Sequence, residues 1–247
     1  MTETDTEGSS SEATPPYEEH IGTTRQYVRD IMLGVNDGLV STFLLVSGVV
    51  GGGLTSTQVL LTAVAGAIAG MISMATGEYV ATKSQEEVFL AEMELERHHL
   101  IHHRDHEREE LRDMFEDMGL RGDDLETVVD IINSSDEAMM GIMAGLEFGV
   151  VDTERRSPYV AAIASGFFFL LGALPSILPF AFIDDPTTGL LVAGVITSIA
   201  LFIVGAIKTT LTRTNPIVAG LENLAIGLAG GLVSYLVGRA FDRFIIT

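Results

Sequence analysis

The chain contains no cysteine, no tryptophan, only two lysines (Lys83 and Lys208) and little charge, 19% of its 247 residues, against about 25% in soluble domains. Without cysteine there is no disulfide framework, no thiolate metal site and no cysteine nucleophile. With 14 basic residues against 34 acidic ones, net −20, no surplus of cations exists to neutralise phosphates, which argues against nucleic acid as a partner. A Walker loop, a dinucleotide fingerprint and a G-x-S-x-G elbow are all missing, so any transport does not draw on an ATPase of this chain.

What is present is segregated. Residues 86–156 hold 21 acids and 7 bases, residues 1–30 hold 7 acids and 2 bases, and the rest of the chain holds only 6 and 5. That remainder accounts for the apolar share of 47%, many of the 26 glycines and the positive mean hydropathy of +0.36. The pattern predicts an all-α polytopic membrane protein with an acidic helical insert. Five runs have the roughly 20 apolar residues a spanning helix needs: about 31–53, 57–82, 159–183, 189–211 and 217–238. They are too long for strands and lack period-2 alternation.

The positive-inside rule orients them. Arg25, Arg29, Lys83, Arg155, Arg156, Lys208 and Arg213 all fall on one side, which places the N-terminus and the insert in the cytoplasm; Arg239 and Arg243 at the far end of span five oppose this weakly. The expected division is an acidic disordered tail over 1–24, spans one and two over 25–85, the cytoplasmic insert over 86–156 and spans three to five over 157–247. The tail has no cationic or apolar stretch of the kind a cleaved signal peptide carries. Acid excess with so few lysines suits a salt-rich cytoplasm, where screening weakens self-repulsion; the expectation is a multi-pass protein of the cell membrane of a halophilic prokaryote.

In the insert, no Gly or Pro interrupts 78–118, which predicts that span two continues as one helix to about Gly119. Asp123 or Asp124 is expected to cap a second helix to about Asn133, and Ser134 or Ser135 a third reaching Glu147. Gly34/Gly38, Gly66/Gly70 and Gly227/Gly231 are small-xxx-small pairs, read first as close packing within one bundle and second as a dimer contact.

Two groups of residues could carry chemistry. A carboxylate at mid-helix in a bilayer costs about 2.5–3.5 kcal/mol, so it lines a site or a wet path by default. Asp37 is such a residue in span one, with Asp30 two turns before it; Met74 and Glu78 lie one turn apart in span two. A carboxylate beside a thioether suits Fe²⁺ better than Mg²⁺ or Ca²⁺. Taken alone, Met74 reads first as packing, Asp37 could instead hold a neighbouring helix, and Glu222 in span five is as readily a structural partner as a site residue. In the insert, an unbroken helix at 100° per residue puts Glu96, His99, His103, Glu107 and Glu110 within an arc of about 80°. Met143 and Glu147 form an i, i+4 pair on the third helix. Carboxylates with imidazole fit Fe²⁺, Mn²⁺, Co²⁺ or Zn²⁺; a solvated acidic helix with incidental histidines is the competing reading. The lone ExxH, Glu96 to His99, lacks the second copy a di-iron bundle needs.

The stretches Arg29-Asp30-Ile31-Met32-Leu33-Gly34-Val35-Asn36-Asp37-Gly38-Leu39-Val40-Ser41-Thr42 and Ser73-Met74-Ala75-Thr76-Gly77-Glu78-Tyr79-Val80 resemble those of the vacuolar iron transporter family, as do Gly220-Leu221-Glu222 and Tyr235-Leu236-Val237-Gly238 in the last span. The resemblance covers roughly 25–243. It implies a five-span homodimer with its ion path between the two copies of span one, and proton-coupled export of Fe²⁺, with Mn²⁺ or related ions as alternatives, from the cytoplasm. It implies a mid-membrane metal site at Asp37 and Met74, an entrance at Asp30, and a metal-binding insert using Glu96, Glu107, Glu110, Met143 and Glu147. At His99 the plant relatives carry glutamate, so imidazole lowers the charge of that site. Gly66 and Gly70 replace additional polar or thioether groups on span two. The partners implied are divalent metal ions, protons, lipid and a second copy; no prosthetic group is expected, and the chain is not expected to be an enzyme. The competing functions are a membrane-anchored metal buffer or sensor, in which Asp37 is dispensable, and a ferroxidase-like di-iron protein.

Overall fold

Five helices in the computed structural model are long and apolar enough to cross a membrane. The structure describes residues 24–147, 157–212 and 214–246. Residues 1–23 of the expected tail, and Arg155, Arg156 and Arg213 of the orientation argument, lie outside these. In order, the helices are α1 (Thr24–Gly51), α2 (Ser56–His102), α3 (Arg104–Asp117), α4 (Gly122–Asn133), α5 (Asp136–Leu146), α6 (Pro158–Ile177), α7 (Pro186–Thr212) and α8 (Pro216–Phe241). A 3-10 turn, Leu178–Ala181, follows α6, and a π turn, Asp242–Ile246, follows α8. No strand occurs among the described residues.

Helix α6 packs along both α1 and α2, and α8 packs on α1 and α7. α1 is therefore central, and small residues let it be so. A Cβ on Gly38 would run into the carbonyl of Phe169, and one on Gly238 into that of Gly48. The pairs Gly34/Gly38, Gly66/Gly70 and Gly227/Gly231 all face atoms of this same chain, on α6, on Leu45 and Phe169, and on Leu201 and Phe43 respectively. Packing within one bundle is thus their use here. The bundle's core gathers Phe43, Val46, Val59, Ala63, Ala67, Ala173, Ile177, Phe180 and Ala193. Outward faces stay apolar: Leu61, Leu191, Val195 and Leu232 are all more than half exposed, as lipid contact requires.

The polar end of α2 and helices α3–α5 build a second core from Leu100, Leu111, Leu125, Val129, Met139 and Met143. The expected single helix over 78–118 is not formed. It breaks at His103 (φ −133°, ψ 29°). Neither Gly nor Pro causes this. Leu100 and Leu111 must both face α4 and α5, and Arg104, Arg108 and Arg112 of α3 pair with Asp136, with Glu126 and Asp130, and with Glu126. Tertiary packing overrides local helix preference here. The cap of α4 also differs: Arg121 occupies the N-cap, and Asp123 and Asp124 sit inside the first turn, where the helix dipole favours negative charge. Gly119 (φ +106°) and Gly122 (φ +61°) frame this turn with space around them, so backbone conformation alone selects glycine. Ser135 caps α5, accepting from the Ala138 N–H at 3.2 Å.

Candidate functional site

Among the described residues, the α1–α2 seam has a wall on one side only. α6 closes its back, and the front opens as a groove of about 540 Å³. Asp37, Ser41 and Thr42 from α1 face Ser73, Met74 and Glu78 from α2 across it. The Ser41 hydroxyl donates to the Asp37 carbonyl at 2.5 Å and Thr82 donates to the Glu78 carboxylate at 3.2 Å. Asp37 is exposed to the groove, while Met74 and Glu78 are half-buried in its wall. At one end the lining turns apolar, where Leu45 and Phe169 lie over Gly66 and Gly70.

Two asparagines hold the geometry from behind. Asn223 of α8 donates to the Asn36 side chain at 2.8 Å and to the Leu201 carbonyl at 2.9 Å. Asn36 is thereby turned into the bundle, and Asp37, 100° further round the helix, faces the groove. Sequence reasoning passed over both asparagines; an amide beside a mid-span carboxylate was the available signal. Asp30, expected on the face of Asp37, is fully buried, 3.5 Å from the Arg29 guanidinium, and is not part of the groove's lining. Glu222 is exposed on α8.

The second group lies beyond the apolar part of α2. Glu96, His99 and Glu107 bring their ligand atoms within 4.8 Å of one another. His99 Nδ1 lies 3.2 Å from Glu107 and 4.0 Å from Glu96. In an unbroken helix, residues 99 and 107 would sit about 12 Å apart along the axis. The break at His103 is what brings them together. The arc drawn on a straight helix picked three of these residues for a reason the structure replaces: a stripe some 20 Å long cannot surround one ion, but a folded stripe can. His103 was on that arc; it is exposed and serves as the junction.

Glu96 and Glu107 are 3% and 2% exposed, and Glu96 Oε1 and Glu107 Oε2 have no hydrogen-bond partner. Two buried carboxylates side by side are costly unless something positive joins them. Burial first, then the charges of Glu107, Glu147 and Glu110 and a hydrogen bond shared with Glu107, push the Glu96 carboxyl up to about 7. Glu147, just past the end of α5, is also pushed up, first by partial desolvation of its carboxyl and then by the charges of Glu110, Glu107 and Glu92. Glu96, Glu107, Glu110 and Glu147 therefore share one negative field. Met143 is fully buried in the apolar core one turn before Glu147. The arrangement can accept a divalent cation: carboxylate oxygens without partners, one imidazole, and no guanidinium or ammonium group among these ligands.

The profile of the VIT family matches residues 28–239. The chain belongs to the VIT family. Within it, the chain is similar to vacuolar iron transporter 1 of Tulipa gesneriana, 28% identical over 232 residues, which are 94% of each chain. It is also similar to vacuolar iron transporter 1 of Oryza sativa subsp. japonica, 29% identical over 88% of this chain and 86% of that one. Protein CCC1 of Saccharomyces cerevisiae is 26% identical over 85% of this chain and 68% of its own. This VIT-family chain is a multi-pass membrane protein of the vacuolar iron transporter type, and the matched span includes both the groove and the Glu96–His99–Glu107 cluster.

Proposed function

We propose that this protein carries Fe²⁺, with Mn²⁺ and other divalent transition metals as related cargo, out of the cytoplasm in exchange for protons. The observation that carries this reading is the groove. Two carboxylates, a thioether and several hydroxyls share one opening within otherwise apolar spans. An ionised Asp37 left to lipid would cost several kcal/mol, about 2.5–3.5 on insertion scales. A second copy of the chain laid over the open seam encloses it, with the ion path between the two copies of α1. Asp37 and Met74 hold the ion at mid-membrane, Glu78 lines the route, and Asp30 tunes the approach from beneath the surface. Protons competing for Asp37 or Glu78 couple the two fluxes.

The insert faces the cytoplasm in this reading and gathers ions at the mouth of the path. Glu96, His99 and Glu107 bind, and Glu110 and Glu147 add field and outer ligands. Met143 sets the soft side of the site from within the core. The intermediate softness of this set suits Fe²⁺, Mn²⁺ or Co²⁺. The acidic composition fits the cell membrane of a salt-adapted prokaryote, in contrast to the vacuolar names of the plant relatives. A buffer or sensor accounts for the cluster but leaves the groove carboxylate without a purpose.

Uptake of Fe²⁺ or Mn²⁺ into proteoliposomes under a pH gradient tests the proposal. Asp37→Asn is expected to abolish gradient-driven uptake while leaving the protein folded. Undiminished uptake by that variant removes the mid-membrane role and favours the buffer.

A further inference from the structure

Five of the six histidines fall within residues 98–106, and the cluster above uses only His99. His98 and His102 are spaced i, i+4 at the C-terminal end of α2, both exposed. Their imidazole rings have centroids 4.4 Å apart, inclined by 50°. Two histidines at this spacing on one helix face are a recurrent chelating pair for zinc, because one turn of helix sets the rings at the separation of neighbouring corners of a coordination sphere. Glu94 lies one further turn back along the same stripe.

We propose that His98 and His102 form a second metal site, distinct from the carboxylate cluster, that takes imidazole-preferring ions such as Zn²⁺ or Cu²⁺. Three observations support it. The rings already touch, so a change of rotamer, not of backbone, completes the pair. The surrounding insert carries 21 acids and 7 bases, a field that concentrates cations. The arginines of α3 that could repel a cation are drawn away to α4 and α5, Arg104 to Asp136, Arg108 to Glu126 and Asp130, and Arg112 to Glu126. The donor set also separates the two sites. Two neutral nitrogens favour ions late in the first row, whereas the neighbouring carboxylates suit Fe²⁺ and Mn²⁺. His98 and His99 rings are 6.5 Å apart, so both sites sit on one turn with different selectivity. This proposal does not depend on transport.

Zn²⁺ titration of the full-length protein in detergent, with and without saturating Mn²⁺, reads both sites. The wild type is expected to show Zn²⁺ binding that Mn²⁺ displaces, at the carboxylate cluster and in the groove, and one event that it does not. The His98→Ala, His102→Ala double variant should lose only the Mn²⁺-resistant event, and Glu96→Gln with Glu107→Gln should lose the cluster's part of the displaceable binding and keep the resistant event. Cu²⁺ bound to the Glu96→Gln, Glu107→Gln, His99→Ala variant should still give the nitrogen couplings of imidazole in electron spin echo spectra. Both histidines are exposed, so their removal leaves the helix intact, which circular dichroism checks. A Mn²⁺-resistant event that survives in the His98→Ala, His102→Ala variant, or copper without nitrogen coupling in the triple variant, overturns the proposal.

Discussion

The groove and the insert cluster place carboxylates in opposite circumstances. Asp37 is exposed on an open seam, with hydroxyls, a thioether and the half-buried Glu78 around it. Glu96 and Glu107 are buried together, with unpartnered oxygens and more acids behind them. The first arrangement offers few ligands and an incomplete shell, which suits an ion that must leave again. The second pays in stability for an empty, repulsive pocket that a cation relieves. In the proposed function one region passes the ion on and the other collects it, so variants in the two regions should fail in different ways.

The largest effect is expected in the groove. Replacing Asp37 with Asn should lower uptake rate by at least on the order of 100-fold, the upper end of what disturbing a metal site's outer partners costs, with little change in metal bound by the insert. A flux assay and equilibrium dialysis on one preparation would show the split. Next, Glu96→Gln with Glu107→Gln should weaken Mn²⁺ binding by roughly 10–100-fold yet leave uptake at saturating ion close to normal. Equal loss of flux at low and saturating ion would erase the distinction between collecting and passing.

Packing variants sharpen the comparison from the structural side. Gly38→Ala pushes a methyl into the Phe169 carbonyl on the wall behind Asp37, and overpacking of this kind costs about 1–3 kcal/mol. Thermal melting in detergent should fall, and Mn²⁺ binding by the insert should hold. Loss of the Ser135 cap by Ser135→Ala touches only the insert and should cost about 1 kcal/mol.

A smaller effect follows from Glu96. Its folded value of about 7 lies above the 4.5 of an ordinary glutamate, so between these values the folded state holds a proton that the unfolded chain has released. Stability from this group is therefore full at low pH and is lost as pH rises through about 7. Melting of the metal-free protein should shift downward from pH 5 to pH 8, and Glu96→Gln should flatten that slope. Metal binding should release protons in the same window; a slope unchanged in Glu96→Gln would place the titration elsewhere.

The five spans were legible because a bilayer demands apolar length, and no tertiary contact is needed to read that. The turn before α5 was legible because Ser135 carries its own cap. The break at His103 was not. Nothing local in His102-His103-Arg104 forbids helix; the cause is the distant need of Leu100 and Leu111 to meet one core. The residues of the cluster were readable as a stripe, while their convergence was not, since it depends on that break. Likewise the bond from Asn223 to Asn36 joins positions 187 apart in the chain. Such a pairing is set by which helices pack together, and Asp37's orientation with it.

The most direct test is to locate a bound ion. Anomalous scattering from Mn²⁺ or Co²⁺ soaked into crystals of the full-length protein should place one ion at bonding distance from the Asp37 carboxylate, beside Met74, and another between Glu96, His99 and Glu107. Ions at the insert with none at a well-ordered Asp37, under conditions that support uptake, would contradict the account.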